Sequence, residues 1–266
     1  MKSKVRRIFE SLYIYLMFLF LYLPIVVLMV FSFNGNKSRG SWGGFSLKWY
    51  KEMFANAELM SALRTTLIVG VIAAVFATII GTMAAIGIMG FKNKKIRSII
   101  SEVTNIPMVS SELVLGISLM LLFIAIKVPG GMVTLILSHI TFCIPYVIIS
   151  VTPKLIQLDK NLYEAAVDLG AKPWCAFKDV VLPEIMPGVI TGLLFAFTLS
   201  IDDFVISFFT AGNGVENLSM YVYATAKRLN PEINALSTVM FVVMMLLLCI
   251  INRRSSKDKD SNVLFQ

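Results

Sequence analysis

The sequence predicts an all-α membrane protein, and two observations support that fold class. Only 15% of the residues are charged and 57% are hydrophobic, whereas soluble domains average about a quarter charged residues. The apolar residues are also gathered into six blocks, each close to or above the roughly 20 residues that cross a bilayer as a helix. We therefore expect six transmembrane helices, at Leu12–Phe33, Leu63–Met89, Val103–Ile126, Met132–Val151, Ile185–Thr210 and Asn234–Ile251.

The positive charge predicts how these helices are oriented. With the N-terminus inside, 16 of the 24 Lys and Arg residues lie in the four segments that then face the cytoplasm. Because Lys and Arg accumulate on the cytoplasmic side of membrane proteins, we expect both termini and the segment 154–178 to be cytoplasmic. Anionic lipid headgroups can also bind these charges, so the net charge of +8 requires no nucleic-acid partner.

The spans divide the chain into three regions. We expect residues 1–61 to form the cytoplasmic N-terminus, the first helix and an external loop. Residues 62–252 then form the transmembrane core, and residues 253–266 form a cytoplasmic tail. The first apolar block is longer than the 7–15 apolar residues of a signal peptide, so it remains a span. The final residues, Val263–Gln266, are similar to the remnant of an engineered protease site, and we assign them no role.

The segment between the fourth and fifth blocks has the composition of a soluble helix pair. Asn161 and Glu164 have the spacing of a capping box, and Gly170 stands where a helix C-terminal stop is expected. Pro173 is suited to begin a second short helix that ends before Pro183. Small residues in the first helix would let another protein approach its backbone closely. We therefore predict that this segment is a docking element.

The same residues carry a family resemblance. The triplet Glu164–Ala166, the glycine at 170 and the pair Leu182-Pro183 resemble the EAA motif of type I ABC importer permeases, with Val180 where that family normally has Ile. The resemblance implies a type I ABC importer permease (MetI-like) fold with residues 62–252 as its core. It also implies a cytoplasmic coupling helix that contacts a separate ATPase. The residues implied in coupling are Glu164, Ala165, Ala166, Asp168, Leu169, Gly170, Leu182 and Pro183.

Three acidic residues lie inside predicted spans. A carboxylate at mid-span costs about 2.5–3.5 kcal/mol on insertion scales, so it usually faces a partner or a water-filled path. One interpretation is that they meet a cationic solute, assisted by cation–π contacts with nearby aromatic rings. The other is that each acid is paired within the helix bundle. The candidate pathway residues are Asp202, Asp203, Glu112, Ser200, Ser207 and Phe204.

Three further runs resemble one permease subunit of spermidine/putrescine importers, namely residues 138–146, 199–207 and 231–238. That resemblance extends from about Tyr22 to Ile251. It implies a polyamine as the solute and a bacterial inner membrane as the location. It also implies three partners: a paralogous permease subunit, an ATPase homodimer that binds ATP and Mg, and an external polyamine-binding protein. Another cationic solute, ferric iron or thiamine is the alternative within the class.

Other function classes lack their signatures. The sequence contains no GxxxxGK[ST] phosphate loop, so we expect a partner to hydrolyse ATP and this chain to be no enzyme by itself. An ion-coupled transporter would typically show inverted repeats, which we do not find. Three cysteines and the single His139 form neither a disulfide framework nor a zinc motif, and we expect no cofactor. We expect His139 to be a packed, hydrogen-bonded residue within the membrane.

Overall fold

The computed structural model describes residues 2–37, 41–225, 230–243, 245 and 246, and the description below concerns these residues. They form helices joined by loops, with one isolated β-bridge between Asn34 and Phe45. A π-helical segment, Phe177–Val181, joins α8 to α9. The helices are α1 (Lys2–Ser32), α2 (Lys48–Ala55), α3 (Ala57–Gly90), α4 (Lys94–Val109), α5 (Glu112–Ala125), α6 (Met132–Gln157), α7 (Lys160–Asp168), α8 (Pro173–Ala176), α9 (Leu182–Asp202), α10 (Val205–Thr210), α11 (Leu218–Thr225) and α12 (Pro231–Val243).

Four helical stretches within the described residues are long and apolar enough to cross a membrane. The predicted first, second and fourth spans correspond to Ser11–Ser32, Ala57–Gly90 and Met132–Gln157, and the fourth stretch is Pro173–Asp202. The predicted third span is two helices, α4 and α5, bent by 101° at their junction, so the number of spans becomes five if that pair is one span. The predicted sixth span begins within α12, and its end lies outside the described residues.

The predicted fifth span differs in two ways from a single helix between Ile185 and Thr210. At its start, α8, the π-helical segment and α9 are continuous, so the short helix that begins at Pro173 does not end before Pro183. Pro183 lies just after the π-helical segment, where the hydrogen-bond pattern already departs from that of an α-helix, so the N–H that proline lacks does not end the helix here. At its other end the helix stops at Asp202, and α10 begins at Val205.

One compact unit comprises residues 1–60 and 224–266. In it, Asn34 organises the loop after α1: its side-chain oxygen accepts the Gly43 N–H at 2.7 Å, and its carbonyl oxygen accepts the Trp49 indole N–H at 2.5 Å. Asn56 caps α3 through the Leu59 N–H and donates to the Glu232 carboxylate at 2.7 Å. Asparagine side chains therefore fix the loops of this unit.

The other unit comprises residues 61–223 and contains the main apolar core. Its central pair is α6 and α9, which approach so closely that a Cβ on Gly192 would lie 3.2 Å from Val147 Cα. Helix α3 approaches the same residue, since a Cβ on Gly81 would lie 2.7 Å from Val147 Cβ. A Cβ on Gly70 of α3 would lie 3.4 Å from the Ile201 side chain of α9. Small residues let membrane helices pack closely, and α3 packs in this way against both α6 and α9.

Candidate functional site

The predicted docking element is an exposed helix with a well-formed end. Gly170 has φ +87°, its N–H bonds the Val167 carbonyl at 2.9 Å, and the Ala171 N–H bonds the Ala166 carbonyl at 3.1 Å. These two bonds form a Schellman motif, which confirms the predicted stop at Gly170. The predicted start is wrong: Asp159, not Asn161, is the N-cap, and its carboxylate accepts the Asn161 N–H at 2.9 Å. A carboxylate at this position also interacts favourably with the helix dipole.

Large apolar side chains are exposed on the same segment. Leu169 is 90% exposed and Trp174 is 70% exposed. Glu164, Asp168 and Gly170 are exposed as well. We call residues 160–174 the α7 surface. A polar rim around uncovered large apolar side chains is typical of a protein interaction site.

The other predicted coupling residues are Ala165 and Ala166 of α7 and Leu182 and Pro183 of α9. Tyr163 of α7 and Leu182 of α9 pack against the main apolar core, while Pro183 is exposed. Ala165 is exposed and Ala166 is half-buried. The α7 surface is therefore connected, through side-chain packing, to the same apolar core that contains α6 and α9.

A second candidate region is the break between α9 and α10. Asp202 is exposed as the last residue of α9, and Asp203, the next residue, is extended and buried. The two neighbouring carboxylates therefore meet different surroundings. Glu112, the first residue of α5, is exposed beside the other helix break.

The buried carboxylate of Asp203 is bonded to the first turn of α10. Its Oδ1 accepts the Ile206 N–H at 3.2 Å, and its Oδ2 accepts the Ser207 N–H at 2.8 Å and the Ser207 hydroxyl at 2.9 Å. These bonds satisfy backbone donors that have no partner inside the helix. In this conformation the acid caps α10.

His139 joins both sides of the break. Its Nδ1 lies 2.6 Å from Ser200 Oγ of α9, and its Nε2 lies 2.9 Å from Ser207 Oγ of α10. Its Nε2 is also 3.6 Å from Asp203 Oδ2. The side chain is 1% exposed, so the predicted packed and hydrogen-bonded histidine is confirmed. Three of the candidate pathway residues, Ser200, Asp203 and Ser207, thus lie around this ring.

Aromatic rings surround the start of α10. The Phe204 ring centroid lies 4.7 Å from that of Tyr223 and 5.6 Å from that of Phe208. Tyr223 and Phe208 are more than half exposed. Such ring faces can bind a cation. Among the described residues, no group of three His, Cys, Asp or Glu side chains is arranged to hold a metal ion.

Sequence reasoning missed Asn217, which lies just before α11. Its side-chain amide donates to Ser207 Oγ at 2.7 Å and to the Asp203 carbonyl at 3.2 Å, and its oxygen accepts the Met220 N–H at 2.9 Å. The only sequence signal was a polar residue ahead of an apolar run, which is common at helix starts and does not identify a distant partner.

Comparisons with known proteins identify relatives of this chain. Residues 77–255 match the family described as "Binding-protein-dependent transport system inner membrane component". The chain is 39% identical to the putrescine transport system permease protein PotI of Escherichia coli K12 over 213 residues, 77% of this chain and 76% of that one. It is 36% identical to the spermidine/putrescine permease protein PotC of the same strain, over 82% of this chain and 83% of that one.

Solved structures agree on the fold. A bacterial ABC transporter that imports the acidic polysaccharide alginate superposes with a TM-score of 0.71 at 16% identity, over 95% of this chain and 98% of that chain. An amino acid ABC transporter superposes with a TM-score of 0.55 at 19% identity, over 77% of this chain and 95% of that chain. These identities support the fold alone.

Proposed function

We propose that this chain, which belongs to the family of binding-protein-dependent transport system inner membrane components, is a permease subunit of an ATP-driven polyamine importer. Members of this family are non-catalytic membrane subunits, and a separate chain supplies the ATPase. The polyamine assignment is supported by relatives named for putrescine and for spermidine/putrescine transport, at 39% and 36% identity. The solute would be putrescine or spermidine, which carry two or three ammonium groups.

The α7 surface is the observation that carries this proposal. It presents a nearly fully exposed leucine and a largely exposed tryptophan on a helix that ends at a left-handed glycine. We propose that an ATPase subunit covers this surface on the cytoplasmic side, through Glu164, Asp168 and Gly170. Closure of the ATPase would then move α7 and, through Tyr163 and Leu182, the helices of the core.

The solute pathway is proposed to pass the two helix breaks. Asp202 lies at the C-terminus of α9, where the partial negative charge of the helix end disfavours a carboxylate and favours a cation. Discontinuous helices whose C-terminal ends face a cation are a common device in transporters. Glu112 would offer a second carboxylate, and Phe204 a ring face. Asp203, Ser200 and Ser207 would shape this path, with Ser207 bonded to Asp203 and with His139 bonded to both serines.

The partners are proposed on the same basis. A paralogous permease subunit would complete the pathway, an ATPase homodimer would bind ATP and Mg, and an external binding protein would deliver the polyamine. Both termini would be cytoplasmic, as the distribution of Lys and Arg favours.

Uptake of labelled putrescine and spermidine tests the solute. Cells that lack their own polyamine uptake would express this chain with its three kinds of partner. We expect uptake of at least one polyamine and a large loss with Asp202→Asn, which keeps the side-chain shape and removes its charge. Absence of polyamine uptake by an assembled complex would contradict the proposal.

Gly170→Asp tests the coupling surface. A non-glycine residue at φ +87° costs about 1–2 kcal/mol, enough to displace the end of α7. We expect the chain to insert, while ATP hydrolysis by the complex no longer drives uptake. The control is Gly214→Asp, since Gly214 has φ +86° and, like Gly170, no atom within 4 Å of an added Cβ. Normal uptake with Gly170→Asp would remove the coupling role.

A further inference from the structure

We propose that His139 is a positioning residue for transport, because its imidazole fixes the break between α9 and α10 and so sets where Asp202 and Phe204 lie. This inference rests on the proposed function for its transport consequence, whereas its structural part stands on the hydrogen bonds of the break alone.

Matching donors to acceptors determines how the imidazole bonds. Asn217 can only donate from its amide nitrogen to Ser207 Oγ, and an ionised Asp203 can only accept the Ser207 hydroxyl proton. Ser207 Oγ therefore has one lone pair left, and His139 Nε2–H donates to it at 2.9 Å. Nδ1 then accepts the Ser200 hydroxyl at 2.6 Å. A neutral imidazole with its proton on Nε2 satisfies every member of this network.

The position of His139 along α6 gives the network its role. Toward α9, Val147 of α6 is in close contact with Gly192. Toward α10, the Thr134 hydroxyl donates to the Thr210 carbonyl at 2.7 Å. His139 lies between Thr134 and Val147 in the same helix, and it bonds one serine of each half of the broken span. Helix α6 therefore holds both halves, and His139 is the residue that contacts them at the break.

The two ring nitrogens explain why this residue is a histidine. They project in different directions from a rigid ring, so one side chain reaches Ser200 and Ser207 together. An apolar residue would remove one hydrogen-bond partner from the Ser200 hydroxyl and one from the Ser207 hydroxyl, both of which are buried. The break would then lose its fixed geometry, and the exposed Asp202 would no longer be held in one place relative to the rings around Phe204.

The test uses the full transporter, with its partner chains, reconstituted in liposomes. The variants are His139→Leu, which removes both bonds, and His139→Gln, which can keep one. For His139→Leu we expect the KM for putrescine uptake to rise by about tenfold per assembled complex, with ATP hydrolysis retained, and a smaller rise for His139→Gln. Ser138→Ala is the matched control, since among the described residues its hydroxyl bonds only the Thr134 carbonyl of its own helix; the KM of this variant should be that of the unaltered chain.

Hydrogen exchange supplies a readout that does not depend on the solute. In His139→Gln we expect the amides of residues 204–210 to exchange about tenfold faster, while those of residues 160–170 are unchanged. Unchanged exchange of residues 204–210 would overturn the positioning role. A loss of uptake that is fully explained by a smaller amount of assembled complex would overturn it as well. If His139→Leu does not assemble, His139→Gln decides. Failure of polyamine uptake with altered exchange would refute the proposed solute and leave the positioning of the break in place.

Discussion

The two interrupted helices differ in what holds each interruption. Between α4 and α5, the Ser110 hydroxyl bonds the Ile106 carbonyl of its own helix, and the Ser111 side chain makes no capping bond. Between α9 and α10, Asp203, His139 and Asn217 bond across the break from three different parts of the chain. The first break is thus made by local chemistry and the second by tertiary contacts.

This difference shows at which break the chain satisfies its own polar groups. Backbone that leaves a helix at membrane depth must be satisfied by protein or by water that fills a cavity. The α9–α10 break is satisfied by described side chains of this chain, whereas no residue of α4 is buried. Substitutions at the second break should therefore destabilise the chain much more than substitutions at the first, and the predictions below test this ordering.

The largest effect is expected at the loop that follows α10. A Cβ on Gly212 would lie 2.3 Å from the carbonyl carbon of Gly130, and Gly212 also has φ +68°. We expect Gly212→Ala to lower the free energy of unfolding by roughly 3 kcal/mol or more, since backbone clash adds to the cost of the left-handed conformation. Chemical denaturation in detergent micelles measures it.

Gly214→Ala separates the two causes of that loss. Gly214 has φ +86° but no atom within 4 Å of an added Cβ. Gly214→Ala should lower the free energy of unfolding by only about 1–2 kcal/mol, which is the cost of the left-handed backbone conformation. Equal losses for the two variants would show that the contact between the Gly130 and Gly212 backbones does not anchor α10.

A substitution of the acid at each break gives the most direct comparison. Asp203→Ala should lower the free energy of unfolding by about 3 kcal/mol, because it leaves the Ile206 and Ser207 donors unsatisfied in a buried place. Glu112→Ala should lower it by about 0.5 kcal/mol, because this exposed carboxylate contributes mainly through the helix dipole. The same denaturation experiment compares them, and similar losses would remove the distinction between the breaks.

Local chemistry explains which features the sequence could predict. Apolar length predicted the long helices Ser11–Ser32, Ala57–Gly90 and Met132–Gln157, and a lone glycine after a helical pattern predicted the end of α7. Each of these depends on neighbours within a few residues or on composition alone.

Features that depend on distant partners were missed. The sequence around Asp203 does not identify it as the end of a helix, because the residues that hold the break, His139 and Asn217, are 64 and 14 positions away. The cap of α7 was misplaced for another reason, since Asp159 and Asn161 are both good caps two residues apart and only the backbone path selects between them. The roles of Asp202 and Glu112 in transport stay predictions.

The smallest effect is expected at Ser110. Within the described part of the chain its hydroxyl bonds only the Ile106 carbonyl of the preceding turn, at 2.9 Å, so Ser110→Ala should change the free energy of unfolding by less than about 0.5 kcal/mol. Ser207→Ala is the matched serine at the other break, where the hydroxyl joins His139, Asp203 and Asn217. Ser207→Ala should lower the free energy of unfolding by about 2 kcal/mol, because three buried groups lose a hydrogen-bond partner together.

The pairwise couplings sharpen this last comparison. Combined with Glu112→Ala, Ser110→Ala should add to it within about 0.5 kcal/mol, because the structure gives the two side chains no common partner. Combined with His139→Leu, Ser207→Ala should cost less than the sum of the two single changes, because both remove the hydrogen bond between residues 139 and 207. Additivity at both breaks would mean that the buried network does not act as a unit, and the contrast between local and tertiary support would then fail.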